Sequence, residues 1–158
     1  MQTNAFFLES ARESDKETIL EILKESGLTT EGIEDAEFYI ARLDDDDDDD
    51  DDASESDPII GVVGLEIWGS SQGLLRSLAV RKEYRNRRVG EALVRKVIEI
   101  ARSKKLKELY LITVAVEKYY ERFGFELVDR NTVRGEVLRS AEFRGACLQT
   151  ASVMRYLL

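Results

Sequence analysis

The chain has 158 residues, of which 43% are hydrophobic and 8% aromatic, a length and composition that suit one sizeable core and exclude general disorder. Histidine is absent and Cys147 is the only cysteine, which excludes a Ser-His-Asp triad, a Cys-His pair, a His/Cys zinc site and an internal disulfide. The formal charge of −9 comes from nine consecutive aspartates, Asp44 to Asp52, and without them 23 acidic residues face 23 basic ones. No N-terminal hydrophobic run is long enough for a signal or membrane helix, so a single cytoplasmic domain over residues 1–158 is expected, with no metal.

In chain order, Phe6-Phe7-Leu8 reads as a short strand. The helix after it is marked at both ends: Ser14 and Glu17 have capping-box spacing, Ile19, Leu20, Ile22 and Leu23 supply an apolar face, and Gly27 stands where a C-terminal cap belongs. Phe38 to Leu43 and Ile59 to Trp68, rich in β-branched and aromatic residues, read as the two strands of a hairpin. Their connection, residues 44–57, is far longer than hairpin loops usually are and almost wholly acidic or small. Self-repulsion predicts a solvated, disordered insert; the alternative is a cation-binding loop, which needs ligands spaced around a turn with glycine.

Gly69 to Gly73 form a turn before Leu74 to Val80, a short run that fits a buried strand. A basic stretch follows, then a helix from Val89 to Ser103 with Leu93, Val97, Ile100 and Ala101 on one face. Leu109 to Thr113 reads as another buried strand, Glu117 to Phe123 as a short helix ending at Gly124, and Phe125 to Val128 and Ser152 to Leu157 as the last strands. This order predicts a fold of the α/β (α+β) class, a mixed sheet flanked by helices.

Between the Leu74–Val80 strand and the next helix, five of the eight residues from Arg81 to Arg88 are basic. A loop that opens a helix presents unpaired N–H groups and the positive end of the helix dipole, so the place suits a pyrophosphate. A solvated basic turn, or a patch for nucleic-acid phosphates, fits these residues equally well. The neighbouring residues tip the balance. Leu78-Ala79-Val80, Tyr84-Arg85, Val89-Gly90 and Ala92-Leu93 resemble the acetyl-CoA-binding motif of the GNAT superfamily of N-acetyltransferases, in which an Arg or Gln precedes two residues, Gly, one residue, and Gly or Ala. Arg85 and Gly90 match its first and last positions, while Arg88 stands where the first Gly is usual. The resemblance implies a splayed central sheet and acetyl-CoA as cosubstrate. It also implies that the backbone of Leu78, Ala79 and Val80 pairs with pantetheine, while Asn86, Arg87, Arg88, Val89, Gly90 and Glu91 wrap the pyrophosphate.

Tyr120-Glu121-Arg122-Phe123-Gly124-Phe125 looks like the tyrosine helix of that family, which ends in a Gly-Phe pair. The match implies that Tyr120 protonates the departing CoA thiolate; a phenol with an ordinary pKa of about 10 holds its proton at neutral pH. The plainer reading makes Tyr120 a core or pocket-wall residue. Over nearly the whole chain, Leu75-Arg76-Ser77-Leu78-Ala79-Val80, Leu109 to Thr113, Glu121 to Phe125, Val128-Asp129-Arg130, Glu142-Phe143 and Ser152-Val153-Met154 resemble the arsenic-resistance-operon N-acetyltransferases. The acetyltransferase domain of N-acetylglutamate synthases is a more distant likeness. Cys147-Leu148 departs from the Cys-Pro of the arsenic-related pattern, and Tyr120 from the Phe that subgroup often carries.

Acetyl transfer to a small-molecule amine needs a neutral amine, a polarised carbonyl and an acid. Glu66 is the candidate base by family analogy, Glu142 a second, and a water relay from Thr113 a third. Arg76 is a lone cation in the run Leu-Leu-Arg-Ser-Leu-Ala-Val. It suits either capture of a substrate carboxylate, which makes the acceptor an amino acid or an analogue of one, or an internal salt bridge with Glu66. Cys147 has no activating base in its sequence context and reads as structural rather than as an acetylated intermediate. The expectation is an amine acetyltransferase that works by direct attack in a ternary complex. An acyl-CoA-binding module without turnover and a nucleic-acid-binding domain are the alternatives, the second weakened by the aspartate run. Neither nucleic acid nor membrane is expected as a partner, and the composition leaves room for a homodimer.

Overall fold

The computed structural model describes residues 5–44, 58–146 and 150–158. The expectations for the insert and for Cys147 therefore lie outside the described residues, apart from the insert's first aspartate. Along the chain run β1 (Phe6–Ser10), α1 (Lys16–Glu25), β2 (Ala36–Leu43), β3 (Ile59–Trp68), β4 (Gln72–Val80), α2 (Val89–Ser103), β5 (Glu108–Thr113), α3 (Glu117–Glu121), β6 (Glu126–Val128) and β7 (Ser152–Leu157). The strands form one sheet in the order β1-β2-β3-β4-β5-β7-β6. Every neighbouring pair is antiparallel except β4 and β5. This is the mixed α/β sheet that the element order predicts.

Strand alternation sends successive side chains to opposite faces, and each face has its own apolar cover. On one face Val89, Leu93, Val94 and Val97 of α2 pack with Val63, Leu65, Leu75, Leu109 and Leu111. On the other, Ile19, Ile22 and Leu23 of α1 pack with Ile40 and Val62. The rest of that second face is covered by the β6–β7 connection, whose Val133, Val137 and Phe143 pack on Leu74, Tyr110 and Val153. Burying each of these aliphatic side chains is worth about 1.5–3 kcal/mol.

The β6–β7 connection has no helical or alternating periodicity in its sequence, so its short 3-10 turns and its core role were not legible there. Gln72 holds it in place: its side-chain amide donates to the Arg134 carbonyl at 2.7 Å, and its oxygen accepts the Val137 N–H at 3.0 Å.

The two ends of α1 fare differently. The Ser14–Glu17 capping box does not form, because a 3-10 turn, Glu13–Asp15, precedes the helix and α1 starts only at Lys16. Asp15 takes over instead, accepting the Arg12 backbone N–H at 2.8 Å and pairing with Arg42 at 3.1 Å. At the C-terminus Gly27 is left-handed at φ 71°. The Leu28 N–H reaches the Leu23 carbonyl at 2.9 Å and the Gly27 N–H the Lys24 carbonyl at 3.1 Å, the paired bonds of a Schellman cap. Helix α3 ends at Glu121, two residues short of the expectation. No helix among the described residues is long and apolar enough to cross a membrane.

Candidate active site

The parallel pair β4 and β5 is joined only at its start, over Gln72–Leu74 against Glu108–Tyr110. Past Leu74 the strands separate. The register between β3 and β4 slips by one residue between Val62 and Gly64, opposite Ser77, which is left-handed at φ 60°. An extra residue in one strand bends and twists it, and here the bend carries β4 away from β5. The backbone edge of β4 from Leu75 to Val80 thus has no strand beside it on the β5 side. Two clefts of about 470 and 440 Å³ open in the gap, sharing Leu28, Leu78 and Val116.

The first cleft lies between the β4 edge and the start of α2, and Leu78, Ala79, Val80, Arg85, Asn86, Val89 and Gly90 all line it. Arg85 is tied down by a bond from its Nε to the Val80 carbonyl at 3.0 Å. Asn86 and Arg88 are both left-handed at φ 66°, so Arg88 takes the conformation for which glycine is usual at that position. These two residues turn the chain sharply into α2, whose first-turn N–H groups have no partner within the helix. At Gly90 a Cβ would stand 3.0 Å from the Tyr119 hydroxyl, so a side chain there would press on the cleft lining. Open N–H donors, arginine charge and a bare strand edge fit a diphosphate followed by a polar, amide-bearing arm.

Arg87, Arg88 and Glu91 do not line this cleft. The Arg87 guanidinium sits 5.5 Å from the Tyr84 ring centroid. Glu91, in the first turn of α2, pairs with Arg95 at 3.3 Å and Arg122 at 3.6 Å.

The second cleft is lined by Arg76, Ser77, Thr113, Tyr120 and Glu142 together with apolar residues of β5 and of the loop after α1. Tyr120 is buried, in edge-to-face contact with Tyr119 and Phe125. Burial, reinforced by Tyr119 and by the charge of Glu142, holds its phenol well above the ordinary tyrosine value. Tyr119 lines the first cleft, and burial raises its phenol too. Glu66 and Arg76 are fully buried. Arg76 donates to Glu66 Oε2 at 2.7 Å and to the Glu31 carbonyl at 2.8 Å; its Nε donates to Ser77 Oγ at 3.1 Å and lies 3.4 Å from Glu142 Oε2. The Trp68 indole N–H takes the other Glu66 oxygen at 2.7 Å. Of the two readings of Arg76, the structure contains the ion pair with Glu66.

The fold thus brings Tyr120, Thr113 and Arg76 to one cleft and Arg85, Asn86, Val89 and Gly90 to the other, while Glu66 lies behind Arg76. Sequence reasoning missed Leu28 and Val116, which no motif marks, and gave no site role to Ser77, which lies within a matched motif but reaches the cleft at the bulge. A separate cleft of about 490 Å³ between α1 and β2 is lined by charges of both signs, Arg12, Glu13, Lys16, Glu34 and Glu37. It has no open strand edge. Among the described residues no group of acidic or cysteine side chains is placed to hold a metal ion.

The Neisseria gonorrhoeae N-acetylglutamate synthase complexed with coenzyme A and N-acetyl-glutamate shares the fold at a TM-score of 0.76 and 17% identity, over 99% of this chain and 36% of that one. The chain thus spans about a third of that synthase. A Mycobacterium tuberculosis protein in complex with CoA matches at a TM-score of 0.72 and 20% identity, over 96% of this chain and 99% of its own. A GNAT-family acetyltransferase from Staphylococcus aureus Mu50 matches at 0.74 and 18%, over 98% and 99%. No curated protein matches the chain. The family model for the acetyltransferase (GNAT) family matches residues 6–125. With that match over most of its length and with a sheet that splays at β4 and β5, the chain belongs to the GNAT acetyltransferase family.

Proposed function

We propose that the protein transfers an acetyl group from acetyl-CoA to the amine of a small molecule by direct attack in a ternary complex. One observation carries this reading: two clefts meet along the bare edge of β4, one running to the start of α2 and the other holding Tyr120. The first accepts the CoA diphosphate at the α2 N-terminus and the pantetheine along Leu78 to Val80. The second accepts the amine. In a ternary complex the reacting groups are held by binding rather than by a covalent enzyme intermediate.

Tyr120 is the proton donor for the sulfur that leaves, because burial keeps its phenol protonated far above neutral pH. Backbone N–H groups of the splayed strand are the donors for the carbonyl oxygen. Glu66 is not the base in this reading. Both its oxygens are committed, to Trp68 and to Arg76, and it is wholly buried. Its role is to fix Arg76. With Arg76 so engaged, the amino-acid acceptor loses the carboxylate clamp on which it rested, and a small-molecule amine is the class retained.

The test is a melt with acetyl-CoA followed by a screen of amines for release of free thiol. At 100 times its dissociation constant the cosubstrate stabilises the fold by about 2.7 kcal/mol. Binding with no thiol release from any amine would leave a non-catalytic acyl-CoA module. A melt that moves with duplex DNA and not with acetyl-CoA would overturn the reading altogether.

A further inference from the structure

Arg76 lines the acceptor cleft from a buried position, and each of its three guanidinium nitrogens serves a different part of the fold. Nη1 donates to Glu66 of β3 at 2.7 Å, and Nη2 donates to the backbone carbonyl of Glu31, in the loop after α1, at 2.8 Å. Nε donates to Ser77 at the β4 bulge at 3.1 Å and lies 3.4 Å from Glu142 of the β6–β7 connection. The loop and the connection also meet each other at this point. A Cβ at Gly32 would stand 2.6 Å from the Ala141 Cβ and 3.3 Å from Arg76 Nη1, and Gly32 is left-handed at φ 77°. The missing side chain thus lets the two segments close over the guanidinium.

Both segments are walls of the acceptor cleft: Gly27, Leu28 and Thr29 line it from the loop, and Glu142 lines it from the connection. The loop has little hold of its own. No residue from Leu28 to Gly32 is buried, and the Glu31 N–H bonds locally, to Thr29 Oγ1 at 3.1 Å. The bond from Arg76 ties this loop to the sheet through a guanidinium that Glu66 pins in turn, and a charge-assisted bond to a buried cation is among the stronger ones. Building on the acetyltransferase reading, we propose that Arg76 is a positioning residue for the acceptor, a clasp that holds the loop after α1 and the β6–β7 connection at the separation the amine requires.

The test compares the full chain with its Arg76→Lys variant, which keeps a charge beside Glu66 but loses the planar fork that also reaches the Glu31 carbonyl. In hydrogen exchange the amides of Leu28 and Glu31 should exchange faster by about 10- to 100-fold, the span of one charge-assisted hydrogen bond, beyond any change in the amides of α2. For an amine found by the thiol-release screen, KM should rise by about tenfold while kcat and the CoA dissociation constant change little. Gly32→Ala leaves Arg76 and Glu66 in place and pries the loop from the connection, so it should move both readouts in the same direction. It decides the question if Arg76→Lys does not fold. Unchanged exchange at Leu28 and Glu31, an amine KM equal to that of the wild type, or a CoA affinity that falls as far as the amine KM rises overturns the proposal. Absence of thiol release by the wild type with every amine would instead sink the acetyltransferase reading, a failure that the exchange measurement, made without substrate, keeps separate.

Discussion

At Tyr120 one residue's surroundings set its chemistry. The phenol lies against Tyr119 and Phe125 with Glu142 nearby, and desolvation opposes loss of its proton. Tyr120→Phe removes one oxygen and keeps the ring, so it should lower kcat by about 100-fold, the low end of general-acid assistance. CoA affinity should not change. Equal turnover in the two proteins, measured by thiol release, would reduce Tyr120 to a pocket wall. The same shift makes a claim about stability. A group whose pKa is raised on folding contributes fully below its unfolded value, about 10 for tyrosine, and loses that contribution as pH climbs through the folded value. The wild type should therefore lose stability above about pH 10, and Tyr120→Phe should lose less of it over the same range, as followed by denaturant midpoints. Glu66 is the complementary case. Glu66→Ala strips the buried Arg76 of its shorter ion pair, the one at 2.7 Å, and should destabilise the fold by about 3 kcal/mol, read as a fall in Tm.

Among the elements, α2 and the loop before it show a compromise between a turn and a charge. Arg88 occupies a left-handed conformation that costs a residue with a Cβ about 1–2 kcal/mol. Glycine avoids that cost but gives the unfolded chain more freedom. Arg88→Gly should accordingly stabilise the protein by about 0.5–1 kcal/mol, measured as a higher denaturant midpoint at unchanged slope. A lower midpoint would mean that the arginine side chain contributes more than the turn costs. The β4 bulge at Ser77 has a wider effect, because a one-residue slip against β3 redirects every later residue of the strand. It separates β4 from β5 and so creates the clefts.

For the whole molecule, the hairpin joining β2 and β3 closes independently of the acidic run, with the Leu43 N–H donating to the Pro58 carbonyl at 2.9 Å. Deleting Asp44 to Asp52 should leave Tm and acetyl-CoA affinity nearly unchanged, with a small gain in stability as like charges are removed. Loss of folded protein, or a calcium-dependent melt present only in the parent, would assign the run a structural or cation-binding role. Much of the architecture was legible without coordinates, because it rests on local signals. The apolar stripes of α1 and α2, the cap at Gly27, the β-branched and aromatic residues of β2 and β3, the apolar run of β5, and the separate matches around Arg85–Gly90 and around Tyr120 are each written within a few consecutive residues. What tertiary structure decided depends on partners distant in sequence. Whether Arg76 faces a substrate or Glu66 was open until β3 and β4 were paired, since the two residues lie ten positions apart and meet only in that register. The cap expected at Ser14 gave way to Asp15 once Arg42 of β2 competed for the helix entrance. The irregular connection that carries Glu142 into the cleft is held by Gln72, 62 and 65 positions away from its two partners there. Local periodicity and capping fix which elements form, but the pairing of buried charges and the opening of a sheet are settled by which long-range contacts leave no polar group unpaired.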